Sequence, residues 1–432
     1  MSDSAVSSSF RPVAPAWRDP QAWIKAADIS AVMIALTLPW STSLVGIFSV
    51  VWVICVIPTI DVRAFAALLR RPVCALPVAL FPLAVVGTLW SDAAWGARLY
   101  AISPTAKLLV LPILFYHYQR SSRGMWVFTA FLISCSLLMV MSWMVAFYPG
   151  LSLKPPLEAK AEPGIFVKNY IDQSQEFVLC AVALAFPVIK LFRAGRTWPA
   201  LLLGALALGF AVNMAFVIVS RTALVTMPIM LAVFALMHLK WRSILIIVCA
   251  MTILAGLAWV ASPQLRQTIG SFSRDYRLYK EQNIPTSMGL RLEFWQKSLR
   301  FFAEAPLIGH GTGSTRGLFE QAAVGQTGAA AGVIGNPHNQ TLNVAVQWGV
   351  IGIVVLYAMW VVHLLLFRGT GLVAWLGLMV VVQNIFTSLF NSHIFDFHEG
   401  WMYVLGVGVA GGMLLQARAR DTASEQANCG GS

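Results

Sequence analysis

Residues 198–239 are almost all apolar. A single helix over that stretch would be about 63 Å long, roughly twice the hydrocarbon thickness of a bilayer. The run must therefore fold back on itself. Its main polar break is Ser220-Arg221-Thr222, so the sequence predicts a helical hairpin whose tip places Arg221 at a membrane surface. Similar runs recur along the whole chain. Counting stretches of about 17 to 25 apolar residues, spans are expected near 27–41, 43–60, 72–90, 104–118, 125–148, 173–191, 198–219, 222–239, 244–261, 342–366, 371–390 and 401–416. The expected fold class is an all-α polytopic membrane protein with about twelve transmembrane helices.

Composition supports this class: 58% of residues are hydrophobic and 11% charged, against about 25% charged in soluble domains. Residues 1–26 are polar and hold Pro12, Pro15 and Pro20 without a short apolar core, so the first apolar run is expected to be a retained span rather than a cleaved signal. Five of the six cysteines sit inside apolar runs and Cys429 in the polar tail, which implies no disulfide framework. The net charge of +12 is accounted for by cytoplasmic loops and anionic lipid. No soluble basic domain is present to carry nucleic acid.

Short loops keep Lys and Arg on the cytoplasmic side. With the N-terminus inside, the cytoplasmic pieces hold Arg11, Arg18, Lys25, Arg63, Arg70, Arg71, Arg120, Arg123, Lys190, Arg193, Arg196, Lys240, Arg242, Arg368, Arg418 and Arg420. The expected organisation is a cytoplasmic tail over 1–26, helices one to nine over 27–261, a long outer segment over 262–341, helices ten to twelve over 342–416, and a cytoplasmic tail over 417–432. Arg221 then stands at a short outer turn, against the charge rule. A snorkelling helix-end arginine is one explanation; an anion held there is the other.

The outer segment opens with an amphipathic pattern. Leu265, Ile269, Phe272, Tyr276 and Tyr279 recur at spacings of four, three, four and three, with Arg266, Arg274, Arg277 and Lys280 on an adjacent arc. Such a helix suits a membrane interface. A second helix is expected over 287–304, stopped by Pro306, with Arg291 and Trp295 on one face. Gly309-His310-Gly311-Thr312-Gly313-Ser314 is expected to be a loop, and it lacks the lysine a P-loop needs. Residues 323–335 are rich in Gly and Ala, which predicts mobility. Pro337-His338-Asn339 falls where the chain re-enters the membrane, and Gly349 and Gly352 suit close helix packing.

This segment carries eight basic residues against five acidic ones. The arginine guanidinium binds phosphate oxygens bidentately and stays charged, so a lipid-borne diphosphate fits both charge and location. A structural ion pair is the competing account of any one arginine. His310, His338, His393 and His398 lie on the same side, and histidine can accept a proton near neutral pH to activate a hydroxyl. A structural role is the alternative for each. His393 with Asp396, His398 and Glu399 is the nearest approach to a metal site, but no HExxH, no cysteine ligand and no Asp-x-Asp pair accompanies it, so neither a metal nor another cofactor is expected.

Three stretches resemble the O-antigen ligase and polymerase superfamily of bacterial inner-membrane glycosyltransferases: SRTAL at 220–224, RLEFW at 291–295 leading into APLIGHGTGS at 305–314, and PHNQTLNVAVQWGVIG at 337–352. The resemblance covers about residues 27–416. It implies a GT-C-like architecture, an inner-membrane location with both termini cytoplasmic, and a site facing the periplasm. The implied reaction is metal-independent, inverting transfer of a glycan from undecaprenyl diphosphate to a sugar hydroxyl of lipid A-core. Carried over by position, Arg221 and Arg291 would bind the diphosphate and His338 would be the general base. Asp396, His310 and Asn339 would be supporting positions, with the role of Lys107 open. An O-antigen polymerase or an O-oligosaccharyltransferase of the same superfamily is the neighbouring alternative; a polytopic transporter or a membrane scaffold would be alternatives of another class.

Overall fold

The computed structural model describes residues 19–154 and 163–429. Arg11, Arg18, Pro12 and Pro15 of the expected tail lie outside the described residues. In chain order the α-helices are α1 (Pro20–Thr37), α2 (Thr42–Val56), α3 (Val62–Leu69), α4 (Pro72–Val86), α5 (Trp95–Ala106), α6 (Val110–Tyr118), α7 (Gly124–Phe147), α8 (Tyr170–Ala183), α9 (Ala185–Arg193), α10 (Thr197–Phe216), α11 (Arg221–His238), α12 (Trp241–Ala261), α13 (Pro263–Gln282), α14 (Ser287–Glu304), α15 (Thr315–Ala323), α16 (Gln340–Leu366), α17 (Leu372–Thr387) and α18 (Phe397–Cys429). No strand occurs among the described residues.

The chain is a polytopic helical membrane protein, with fewer qualifying spans than the twelve expected. Among the described residues nine helical segments are long and apolar enough to cross a membrane, and a tenth forms if α3 and α4, bent by 82°, count as one. The first and eleventh expected spans are helices that fall short of that measure. α1 carries Lys25 and Asp28, and α17 has only 16 residues. The 198–239 run does fold back: α10 ends at Phe216 and α11 begins at Arg221.

The core is built by α1 against α2 and α7, by α18 against α6 and α17, and by α4 against α16. Trp52, Phe115, Tyr118, Phe177, Trp348, Trp375 and Tyr403 are its largest fully buried side chains. α12 lies at the outside of this bundle, with none of its apolar window buried, as a lipid-facing helix would be.

α13 and α14 realise both helices expected between the spans. Ser262 caps α13 by accepting from Leu265 N at 3.1 Å, and Asn283 ends it in the left-handed conformation at φ 52°. Only Leu265 of the predicted apolar stripe is buried, while Ile269 and Tyr276 are exposed. The Gly/Ala-rich stretch expected to be mobile is instead pinned. Ala329 N donates to Asn283 O at 3.1 Å, Asn283 Nδ2 donates to Thr327 O at 2.9 Å, and the Lys297 ammonium donates to Ala330 O.

α16 is broken at Gly349 (φ 60°, ψ −152°), and the 306–311 segment fills the break. His310 N and Gly311 N donate to the carbonyls of Val346 and Gln347 at 2.8 and 2.9 Å, while Val350 N donates to Pro306 O at 2.8 Å. Backbone groups freed by the kink thus find partners from a segment about 40 residues earlier, which is what a buried helix break in a bilayer protein requires. Cβ atoms have no room there: one added to Gly309 would lie 2.5 Å from Gln347 C, and one added to Gly349 would lie 2.4 Å from Leu307 C. Gly349 therefore serves a kink as well as the expected close packing, which is against the Pro306–Leu307 backbone. Gly352 does pack closely, against Val344 and Trp348.

Candidate active site

The α10–α11 turn makes Arg221 the first residue of α11. Its Nη2 donates to Asp275 Oδ2 at 2.8 Å and to Ser271 Oγ at 2.5 Å, and the guanidinium lies 4.9 Å from the centre of the Phe272 ring. The aromatic stripe of α13 is thus in part a seat for this arginine, and an ion pair accounts for part of Arg221's position at the turn.

Arg291, on the first turns of α14, is half-buried and has neither a hydrogen bond nor an ion pair among the described residues. Burial lowers its pKa; the Tyr170 side chain opposes that, and the charge of Arg221 adds to it. The guanidinium nonetheless stays cationic. Of these two positive charges only Arg221 is paired with a carboxylate among the described residues, a surplus suited to an anionic ligand.

His338 adopts a left-handed backbone, φ 52°, which a side chain other than glycine rarely takes. That geometry costs on the order of 1–3 kcal/mol unless surrounding bonds hold it. Asn336 Oδ1 accepts the His338 N–H at 3.0 Å, and the ring Nδ1 lies 2.9 Å from Asn391 Oδ1. The ring centre is 6.3 Å from that of Phe294, one turn beyond Arg291 on α14. Burial pushes the His338 pKa below its usual 6.5, the Asn391 bond opposes this, and the Arg291 charge adds to the lowering. A neutral imidazole at neutral pH follows.

The loop between α17 and α18 closes the site from behind. Asn391 Nδ2 donates to Asp396 Oδ2 at 2.6 Å. Lys107, in the short turn between α5 and α6, donates its ammonium to the carbonyls of Phe395 and Asp396. Burial raises the Asp396 pKa to about 7, with Lys107 opposing and Asp172 reinforcing. Gln340, the first residue of α16, fixes the loop to that helix: its N–H donates to Ser388 O at 2.9 Å and its Oε1 accepts from Ile394 N at 3.0 Å.

Arg221, Arg291 and His338 therefore come together from three separate elements, with Asp396 joined to His338 through Asn391. Two of the supporting positions lie elsewhere in the bonding scheme. His310 Nε2 donates to Phe301 O at 2.7 Å, holding the end of α14. Asn339 is the N-cap of α16, accepting from Leu342 N at 3.0 Å and donating to Leu389 O at 3.2 Å. His398 Nδ1 donates to Asp172 Oδ2 at 2.6 Å, away from His338.

His393, Asp396 and Glu399 each bring one donor atom within 4.8 Å of the others. Lys107 already sets a positive charge against these carboxylates, which lessens their pull on a cation. Asn336, Asn391, Tyr170 and Phe294 were not picked out from the sequence. Asn391 lies five residues before Asp396, but an asparagine has no chemistry of its own to mark it.

No curated protein matches the chain. Residues 206–357, the stretch that holds Arg221, Arg291 and His338, match the family model described as O-Antigen ligase.

Proposed function

We propose that this protein is an O-antigen ligase that transfers a glycan from undecaprenyl diphosphate to a sugar hydroxyl of lipid A-core on the periplasmic face of the inner membrane, without a metal. The observation that carries this is Arg291, a cation with no carboxylate partner among the described residues, near enough to Arg221 and His338 for their charges to act on one another. In this reaction His338 Nε2 accepts the proton of the acceptor hydroxyl while that oxygen attacks the anomeric carbon. The bond from that carbon to the diphosphate breaks on the opposite face, with inversion. The electron pair leaves on undecaprenyl diphosphate, where the two guanidinium groups offset the growing charge.

The test mixes purified protein with lipid-linked glycan and separate lipid A-core, without added metal, and looks for the joined product. His338→Ala is expected to abolish it. Full activity in that variant would remove the base assignment. Product appearing only as longer chains on the lipid diphosphate would make the enzyme a polymerase, product on protein an oligosaccharyltransferase, and movement of the donor across the bilayer with no bond formed a transporter.

A further inference from the structure

One backbone amide sets the direction of every hydrogen bond that reaches the His338 ring. The N–H of His338 can only donate, so the Asn336 atom 3.0 Å from it is the carbonyl Oδ1. The Ser392 hydroxyl donates to the same oxygen at 2.7 Å. The other end of Asn336 is then Nδ2, a donor, and it lies 3.1 Å from an Asn391 atom that must accept. That atom is Oδ1. His338 Nδ1, 2.9 Å from this oxygen, must therefore carry the ring proton. Asn391 Nδ2 is left to donate to Asp396 Oδ2 at 2.6 Å. A flipped Asn391 would set its NH2 against the Asn336 Nδ2 donor, and its oxygen against Asp396 whenever that carboxyl is ionised.

We propose that Asn391 is a positioning residue: held from behind by Asp396, it keeps His338 as the Nδ1–H tautomer, so that Nε2 presents its lone pair to the acceptor hydroxyl. This rests on the proposal that His338 is the base. The need for such a residue is chemical, because a histidine side chain left to itself favours the opposite tautomer, with the proton on Nε2 and no lone pair there. The other ionisable groups acting on the ring are Arg291 from α14 and His393 from the α17–α18 loop, with Asp396 behind Asn391. Neither Arg291 nor His393 bonds to the ring in a way that would choose between the tautomers.

The test reads the tautomer directly. In protein carrying 15N-labelled histidine, the His338 signals are those lost in His338→Ala. They are expected to show a protonated Nδ1 and an unprotonated Nε2 above the ring pKa, and this selection is expected to be lost in Asn391→Leu. A wild-type signal with the proton on Nε2 would overturn the proposal, whether or not any variant folds. Kinetically, Asn391→Ala is expected to lower kcat by at least about tenfold with little change in the acceptor KM. Asn391→Asp keeps an acceptor for Nδ1–H, so it should recover much of that loss. Its added negative charge should also move the acid limb of the pH profile upward. Unchanged kcat in Asn391→Ala, or no recovery in Asn391→Asp when both variants fold, would count against it. Failure of the base proposal itself is distinguished by His338→Ala, which would then transfer glycan normally whatever tautomer the wild-type ring holds.

Discussion

Arg221 and Asp275 join α11 to α13 through a 2.8 Å ion pair, so among the described residues only one of the two adjacent guanidinium groups is matched by a carboxylate. The division assigns different structural duties to two residues that would share one ligand. Arg221 is partly a fastener between helices, whereas Arg291 has no hydrogen bond or ion pair to lose among the described residues.

That difference predicts opposite stability effects from similar substitutions. Arg221→Ala strands a mostly buried Asp275 and should cost about 1–3 kcal/mol. Arg291→Ala removes a charge that repels Arg221 and should leave the melting temperature in detergent unchanged or higher. Both should lower kcat/KM for the lipid donor, by about 10²–10³-fold for Arg291→Ala if it offsets charge in the transition state. A melting temperature for Arg291→Ala that falls as far as that of Arg221→Ala would mean Arg291 has a structural partner after all.

The break in α16 makes a second prediction. Gly349→Ala puts a Cβ at φ 60°, ψ −152°, a region open essentially to glycine alone, and drives it to 2.4 Å from the Leu307 backbone. Little folded protein should be recovered. Gly317→Ala, inside α15 with open space around it, should instead be neutral or stabilising by up to about 1 kcal/mol. Comparable yields of monodisperse protein from the two variants would contradict this account of the break.

The uneven legibility of the sequence has physical causes. α14 was readable to the residue because its start and stop are local, with a polar residue at one end and Pro306 just past the other. The kink at Gly349 was not. Its flanks are equally apolar, and the groups that make the break tolerable come from Pro306–Gly311. Arg221 stands out at a short outer turn against the charge rule, whereas only the resemblance separates Arg291 and His338 from the other outer arginines and histidines. Asn336 and Asn391 were invisible because an asparagine amide gains its role only from the donors and acceptors folding brings to it. His310 shares the chemistry of His338, and only the fold reveals that its ring is bonded to a helix-end carbonyl.

His310 gives a third prediction. Its ring Nε2 closes the end of α14 by donating to Phe301 O. His310→Ala should therefore lower stability by about 1 kcal/mol while leaving kcat near wild type. Thermal unfolding and steady-state rates on the same preparation decide it; a large fall in kcat with an unchanged melting temperature would bring His310 into the chemistry.

The pH dependence of transfer is the remaining consequence of the site's electrostatics. A general base must be neutral to accept a proton, so activity falls as pH drops through the His338 pKa. Burial sets that pKa below 6.5, and the Arg291 charge lowers it further against the Asn391 hydrogen bond. The acid limb of kcat/KM should therefore have its midpoint below pH 6.5, with His338 still functional at pH 6.5. Arg291→Gln removes the lowering charge, so the residual activity of that variant should lose its acid tolerance and show the limb at higher pH. Burial is the larger cause, and the shift should be smaller than the full displacement from 6.5. A wild-type midpoint at or above 6.5, or an acid limb that ignores Arg291→Gln, would separate His338 from the proton that the reaction removes.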